Sequence, residues 1–123
     1  MKPKFTAGKN IALKTPAHEY EKVIQFYKDI LGFNRLDIEN LDPFDSECFE
    51  FGDKRLWVDR IEGLSQSETW LEIESDDIES AKQYLVEKGC QLRDEIEPLP
   101  SEINGFWLSS PSNIIHLVIA SED

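Results

Sequence analysis

The sequence predicts an α+β fold made of two consecutive βαβββ modules, which form a curved mixed sheet around a cavity and carry their helices on the outer face. Three observations predict this architecture. Each half of the chain contains an amphipathic helix that ends at a glycine, Gly32 or Gly89. Short segments with strand-like alternation follow each helix. The spacing from Tyr27 to Gly32 recurs from Tyr84 to Gly89, so the second half repeats the first.

The first module is predicted over about residues 9–62. Asn10–Lys14 alternates polar and apolar residues, which indicates a strand. Thr15 followed by Pro16 predicts a helix start, with the threonine as N-cap, and apolar residues at spacings of three and four continue to Leu31. Three further strands are predicted, bounded by Asp42-Pro43 and Gly52-Asp53: Phe33–Glu39, Glu47–Phe51 and Arg55–Arg60.

The second module is predicted over about residues 69–121, after a linker at Gly63–Glu68. Asp76 and Glu79 are spaced as in a capping box at the start of its helix. The predicted elements are the strand Trp70–Glu74, the helix Ile78–Lys88, and the strands Cys90–Arg93, Gly105–Ser109 and Asn113–Ala120. Residues 1–123 are therefore expected to form a single domain.

The composition limits the possible partners of this chain. It has 25 Asp and Glu residues against 13 Lys and Arg residues, a formal net charge of -12. Such a surface repels phosphate backbones and attracts cations, which argues against a nucleic-acid partner. No apolar run approaches the roughly 18 residues of a membrane span, and Cys48 and Cys90 lack the spacing of a zinc or redox site. We therefore expect a cytoplasmic protein without a membrane partner.

Four stretches of the chain closely resemble the vicinal oxygen chelate superfamily, which includes glyoxalases, bleomycin-resistance proteins and extradiol dioxygenases. They are NIAL at 10–13, FYKDILGF at 26–33, DDIESA at 76–81 and SPSNIIHL at 110–117. The resemblance covers about residues 9–120, and the FYKDILGF stretch is its most specific part. It implies the fold described above much better than it implies a reaction.

In metal-dependent members, the resemblance implies four metal ligands, taken from the first and last strands of each module. Carried over to this chain, these positions are Asn10, Trp57, Trp70 and His116. An indole has no lone pair for a metal, and a neutral amide oxygen is a weak ligand for transition metals. We therefore expect neither a metal nor another cofactor.

Period-two alternation predicts which side chains face the cavity. On the last strand it assigns Ile114, His116 and Val118 to the cavity, and Trp107 joins them if Phe106 and Leu108 pack on a helix. An aromatic cleft with carboxylates suits a cationic or planar aromatic ligand. The predicted ligand-binding residues are Asn10, Trp57, Asp59, Trp70, Glu72, Glu74, Trp107 and His116.

Each of these residues also has an ordinary structural interpretation. The tryptophans could fill the core or a dimer interface, Glu72 and Glu74 could face solvent, and His116 could be a hydrogen-bonded core residue. The segment Asp94–Asn104 is either a lid over the cavity or a stiff connection.

The leading functional hypothesis is a metal-independent protein that binds and sequesters a cationic or aromatic small molecule. One alternative is a glyoxalase-like lyase or isomerase, or a dioxygenase-related enzyme, with a non-standard site. His116 is then the candidate catalytic base, and Asn10 orients a carbonyl. The other alternative is a non-catalytic interaction domain. A homodimer is expected because unpaired strand edges are a liability.

Overall fold

The computed structural model describes residues 2–121. A 3₁₀ turn, Ala17–Glu19, precedes α1, and a π-helical turn, Phe26–Ile30, continues it. The strands and helices are β1 (Phe5–Pro16), α1 (Tyr20–Gln25), β2 (Arg35–Leu36), β3 (Ser46–Phe51), β4 (Lys54–Ile61), β5 (Glu68–Ser75), α2 (Ile78–Glu87), β6 (Gln91–Leu92), β7 (Gly105–Ser109) and β8 (Ile115–Ala120). This order confirms the predicted βαβββ repeat.

The chain divides into two compact units, residues 9–70 and residues 2–8 with 71–121. In the first unit the strand order is β2-β3-β4-β1, with β1 and β4 parallel and the other pairs antiparallel. In the second unit the order is β5-β8-β7-β6, and β5 and β8 are the parallel pair. Both units are mixed sheets with a helix between strands, which confirms the α+β fold class.

The core of the first unit lies between its sheet and α1. Tyr20 and Ile24 of α1 form one cluster with Phe49 of β3 and Val58 of β4. Leu13 of β1 faces the same helix. The side chains that alternate with these, on β1 and β4, therefore point to the side that α1 does not cover, which we call the non-helical face.

The second unit repeats this arrangement. Ala81 of α2 forms a buried cluster with Phe106, Leu108 and Val118, and Ile73 of β5 packs against it. Phe106 pairs with Val118 in the antiparallel ladder, so the two side chains share the helix side of the sheet. Trp107 therefore lies on the non-helical face, as the alternation predicted.

The start of α1 and the cap of α2 were predicted wrongly, although α2 begins at Ile78 as predicted. Pro16 is the last residue of β1, with φ -54° and ψ 139°, and no side chain caps the turn that follows it. The Thr15 hydroxyl instead donates to the Leu13 carbonyl at 3.3 Å. At α2 the cap is Asp77, one residue after the predicted Asp76, and its Oδ1 accepts the backbone N–H of Ser80 at 3.1 Å.

The helix ends were predicted more accurately than the starts. Gly32 and Gly89 have φ of 72° and 88°, the left-handed conformation that glycine tolerates best. The strand predicted at Phe33–Glu39 is reduced to β2, because the residues after Leu36 leave the sheet as a loop. Within residues 2–121, no helix has the length and apolar character needed to cross a membrane.

Candidate functional site

Two of the predicted site residues, Asn10 and Trp57, contact each other directly on the non-helical face of the first unit. Asn10 lies on β1 and Trp57 on the parallel strand β4. The indole Nε1–H of Trp57 donates to Oδ1 of Asn10 over 2.8 Å. Both residues are half-buried. Their polar groups are therefore committed to a bond that joins neighbouring strands.

A row of three polar side chains crosses the same face on β1, β4 and β3, and its β4 member, Asp59, is two residues after Trp57. Lys14 of β1 pairs in register with Asp59 of β4, which pairs with Ser46 of β3. The Lys14 ammonium lies 2.8 Å from Oδ2 of Asp59, and both side chains are 4% exposed. The Ser46 hydroxyl donates to Oδ1 of Asp59 at 2.5 Å. Asp59 is thus the counter-ion of Lys14, and each of its carboxylate oxygens has a hydrogen-bond partner.

Aromatic rings surround the Lys14 ammonium. The centroid of the Trp70 ring lies 4.3 Å from Lys14 Nζ, and that of the Phe44 ring lies 4.8 Å from it. Both distances are within the range of a cation–π interaction. The indole N–H of Trp70 donates to a carboxylate oxygen of Glu68 at 3.1 Å. The sequence predicted that an aromatic ring and a carboxylate together bind a cationic ligand. In the structure, this combination surrounds the Lys14 ammonium of the chain itself.

The loop between β2 and β3 brings Phe44 to this row. The Asn40 amide donates to the Phe44 carbonyl at 2.6 Å, and the Asn40 oxygen accepts the backbone N–H of Asp42 at 3.0 Å. Burial of the Asp42 carboxyl raises its pKa above the ordinary aspartate value, and the positive charge of Lys14 partly opposes this effect. Asp42 is therefore a second carboxyl group, after Asp59, that interacts with the Lys14 charge.

The predicted acidic residues of β5 lie on the non-helical face of the second unit. Glu72 and Glu74 alternate with Leu71 and Ile73, and Ile73 packs in the helix-side core. A Cβ on Gly8 would come within 2.5 Å of the Glu72 side chain. The Glu72 side chain therefore lies directly over the Gly8 backbone.

Trp107 is buried to 5% exposure beneath the segment that was a candidate lid. Its indole N–H donates to the Glu97 carbonyl at 2.9 Å, and its backbone N–H donates to the Asp94 carboxylate at 2.9 Å. Proline and polar residues in this segment prevent a regular strand, and these two bonds fix it against β7. The contacts favour the stiff connection over the lid.

The predicted orientation of β8 was wrong. Val118, assigned to the cavity side, is fully buried in the cluster with Ala81 of α2. His116 pairs with Leu108, another member of that cluster, and so lies on the helix side of the sheet. His116 Nδ1 lies 2.9 Å from the Ile114 carbonyl oxygen. His116 therefore does not share a face with Trp107.

The register also changes the residue that corresponds to a family metal ligand. Leu13 pairs with the buried Val58 in the first unit, and Ile73 pairs with the buried Val118 in the second. When these two pairs are superimposed, Val58 corresponds to Val118. The residue before Val58 is Trp57, and the residue before Val118 is Leu117. Leu117, and not His116, is the counterpart of Trp57.

The residues at the four family ligand positions do not fit a tightly bound metal ion. They are Asn10, Trp57, Trp70 and Leu117, of which only Asn10 offers an oxygen, and that oxygen accepts the Trp57 hydrogen bond. Among the side chains of residues 2–121, His, Cys, Asp and Glu form no cluster of three or more suited to a metal. The metal chemistry implied by the resemblance has no matching donor set here.

Sequence reasoning missed Lys14, Ser46, Asp42 and Phe44. A signal for Lys14 was present, because the alternation that places Asn10 on the non-helical face continues through residue 12 to residue 14. Lys14 was instead treated as the end of the strand. Phe44 lies in a loop, where no periodic pattern predicts the direction of a side chain.

Comparison with known proteins defines the fold. No family model matches the chain, and no curated protein matches it. Its structure is similar to that of hypothetical protein BH1468 from Bacillus halodurans C-125, with 16% identity, a TM-score of 0.68 and coverage of 97% of this chain and 96% of that one. It is also similar to a glyoxalase/bleomycin resistance protein/dioxygenase superfamily member from Vibrio splendidus 12B01, with 13% identity, a TM-score of 0.61 and coverage of 94% and 98%.

A Mn(II)-bound glyoxalase from Novosphingobium aromaticivorans matches with 14% identity, a TM-score of 0.68 and 96% coverage of this chain. This chain spans 40% of the length of that glyoxalase. At these identities the similarity shows the fold alone. The chain therefore has the vicinal oxygen chelate fold, and the chemistry must be argued from its own residues.

Proposed function

We propose that this vicinal oxygen chelate domain is a metal-independent binding protein for a planar aromatic small molecule, which contacts the non-helical face of the first unit. The observation that carries the proposal is the 2.8 Å hydrogen bond between Trp57 and Asn10. At positions where relatives of this fold hold a metal, this chain has two side chains bonded to each other. Trp57, Asn10 and Trp70 would supply the ligand contacts.

The metal-independent part of the proposal follows from the energetics of the site. A metal at Asn10 would have to share Oδ1 with the indole N–H of Trp57, whose half-buried hydrogen bond it would weaken. Trp57, Trp70 and Leu117 could then add no ligand. A transition metal needs three or four good donors to bind tightly, so the loss would not be offset.

The charge of Lys14 favours a neutral or anionic aromatic ligand over a cationic one. The Lys14 ammonium already occupies the face of Trp70, at 4.3 Å. Two positive charges about 4 Å apart repel by about 4 kcal/mol at the effective dielectric of a protein surface. The net charge of -12 attracts cations over longer distances, but salt screens that field beyond about 8 Å. The Asp59 carboxylate offsets part of the Lys14 charge, so we expect a preference against cationic aromatic ligands and not their complete exclusion.

Fluorescence titration tests the ligand class with three probes of similar size: phenol, benzoate and benzylammonium. We expect phenol or benzoate to change the tryptophan emission at lower concentration than benzylammonium. Trp57→Phe and Trp70→Phe should reduce the response, because each removes a proposed contact. Trp107→Phe provides the comparison, since that indole is buried beneath residues 94–97. Equal responses from all three single variants would contradict the proposed location.

Elemental analysis of the purified protein tests the metal-independent part. We expect far less than one equivalent of zinc, manganese, iron or nickel per chain. About one equivalent, lost on chelation together with ligand binding, would refute metal independence.

The enzyme and homodimer hypotheses have weaker support. His116 lies on the helix side of β8 in the second unit, whereas Asn10 lies on the non-helical face of the first unit. The proposed base and carbonyl-orienting residue therefore belong to different units and to different sheet faces. The outer strands β2 and β6 have only two residues each, which limits exposed strand edges and weakens the reason to expect a dimer. The homodimer remains a prediction that light scattering can test.

A further inference from the structure

The Lys14 ammonium has two aromatic neighbours that differ in how the fold holds them. Trp70 belongs to β5 and is fixed by a strand, whereas Phe44 belongs to the loop of residues 37–45. The Phe44 ring lies 4.8 Å from the ammonium and is half-buried. A loop side chain can leave this position without breaking a strand pair.

We propose that Phe44 occupies the place of the ligand's aromatic ring. The ligand binds by displacing Phe44 from Lys14, and the loop of residues 37–45 acts as a lid that covers the site with its own phenyl group. This inference rests on the proposed function and deepens it. It places the ligand ring against the Lys14 ammonium, where Phe44 now lies, and it specifies a neutral or anionic ring of about the size of phenol.

The bonds of the loop are consistent with movement as a unit. Its tip is closed internally, because the Asn40 amide donates to the Phe44 carbonyl at 2.6 Å. Its end is attached to the sheet, because the Arg60 backbone N–H donates to the Asp45 carbonyl at 2.9 Å. Residues 40–44 can therefore swing away together, while the attachment at Asp45 keeps β3 in register.

When the ligand ring replaces the Phe44 ring, the buried Lys14 ammonium keeps an aromatic neighbour that stabilises its charge. Lys14 is 4% exposed and pairs with Asp59, and loss of the Phe44 ring alone would remove one aromatic neighbour of the buried ammonium. A ligand ring in the same place restores the cation–π contact. A cationic ligand would do so less well, because its charge would lie next to the ammonium.

Phe44→Ala is the deciding variant, because it removes the competing ring without touching Lys14 or Trp70. If the ligand takes the place of the ring, phenol should bind this variant about tenfold more tightly than the wild type, since no internal group has to be displaced. Phe51→Ala is the matched control. Phe51 is also a phenylalanine of this unit, it is 42% exposed, and its ring contacts Phe33 at 5.9 Å. Phenol affinity should not change in this control.

Lys14→Met combined with Asp59→Asn in the Phe44→Ala background tests the role of the charge, because removal of both charges avoids leaving Asp59 buried without a cation. This triple variant should lose most of the gained affinity for phenol and benzoate, and it should no longer discriminate against benzylammonium. Phe44→Leu provides a second variant if Phe44→Ala unfolds, because leucine keeps apolar volume and lacks the ring. It should show a smaller gain in phenol affinity.

The outcomes separate this inference from the proposed function. If the wild type binds phenol and Phe44→Ala binds it no more tightly, the lid inference is wrong and the proposed function stands. A gain that survives unchanged without Lys14 would also overturn it. If neither the wild type nor Phe44→Ala binds any aromatic probe, both proposals fail.

Discussion

Lys14 and Asp59 form a buried ion pair directly opposite each other on two parallel strands, with 2.8 Å between Nζ and Oδ2. Burial of two charges costs several kcal/mol of hydration for each, and the partners, Ser46 and the aromatic rings offset that cost only together. Loss of one partner is therefore expected to be more harmful than loss of both charges.

Lys14→Met should lower the free energy of unfolding by about 3 to 5 kcal/mol, because it leaves the Asp59 carboxylate buried without a cation. Adding Asp59→Asn should recover part of this loss, since the amide is neutral and its oxygen can still accept from Ser46. Urea unfolding of the two variants and the wild type measures the effect. A Lys14→Met variant within about 1 kcal/mol of the wild type would show that the pair is not truly desolvated.

Asp42 predicts a pH dependence of stability. Burial raises the pKa of its carboxyl above 3.8, so the folded state binds this proton more tightly than the unfolded state. Such a group favours folding at low pH, and its contribution is lost as pH rises from about 3.8 through the folded pKa. Asp42→Asn should remove this component, so that stability falls less over that interval. Unfolding curves at a series of pH values measure the difference, and superimposable pH profiles would refute the prediction.

Gly8 should tolerate no side chain while Glu72 is present. A Cβ at Gly8 would come within 2.5 Å of Cγ and Oε1 of Glu72, closer than atoms can approach. Gly8→Ala is expected to cost about 1 to 3 kcal/mol of stability, as in other overpacked sites. The same substitution in a Glu72→Ala background should cost less, because Cγ and Oε1 are gone and the Cβ contact at 2.8 Å remains. Equal costs in both backgrounds would show that Cγ and Oε1 are not the source of the strain.

Trp107→Ala should lower the free energy of unfolding by about 3 to 5 kcal/mol, since the ring is 5% exposed and its removal leaves a large cavity. Trp107→Phe keeps most of the ring and loses the N–H that reaches the Glu97 carbonyl, so its cost should be smaller. Thermal or urea unfolding distinguishes the two. A Trp107→Ala variant as stable as Trp107→Phe would contradict the buried-filler role.

The fold was predictable because its main signals are local and occur twice. Gly32 and Gly89 end their helices in both modules, and the apolar stripe of α1 packs as its spacing predicts. The helix starts were less predictable. Thr15 has the chemistry of a cap, but its backbone continues the ladder with β4, where it pairs with Arg60. Sheet pairing therefore overrides a local capping preference.

The candidate site was only partly predictable, because alternation fails where both faces of a strand are apolar. In β8, Ile115, Leu117 and Ile119 could face the helix as well as His116 and Val118 could, and only the pairing with β7 decides between them. Asn113, with φ of 64°, sits in the turn before β8, where the prediction had already begun the strand. Contacts made by a loop, such as that of Phe44, leave no periodic trace.

The matched valines Val58 and Val118 also show how the two halves have diverged. The same register that aligns them places Lys14 at the level of Glu74, and Asp59 at the level of Ile119. The second module therefore has no copy of the ion pair, although its core row is preserved. In such a repeated scaffold, the helix side of each sheet maintains the packing of the module. The opposite side can carry different side chains, and therefore different chemistry, in each module.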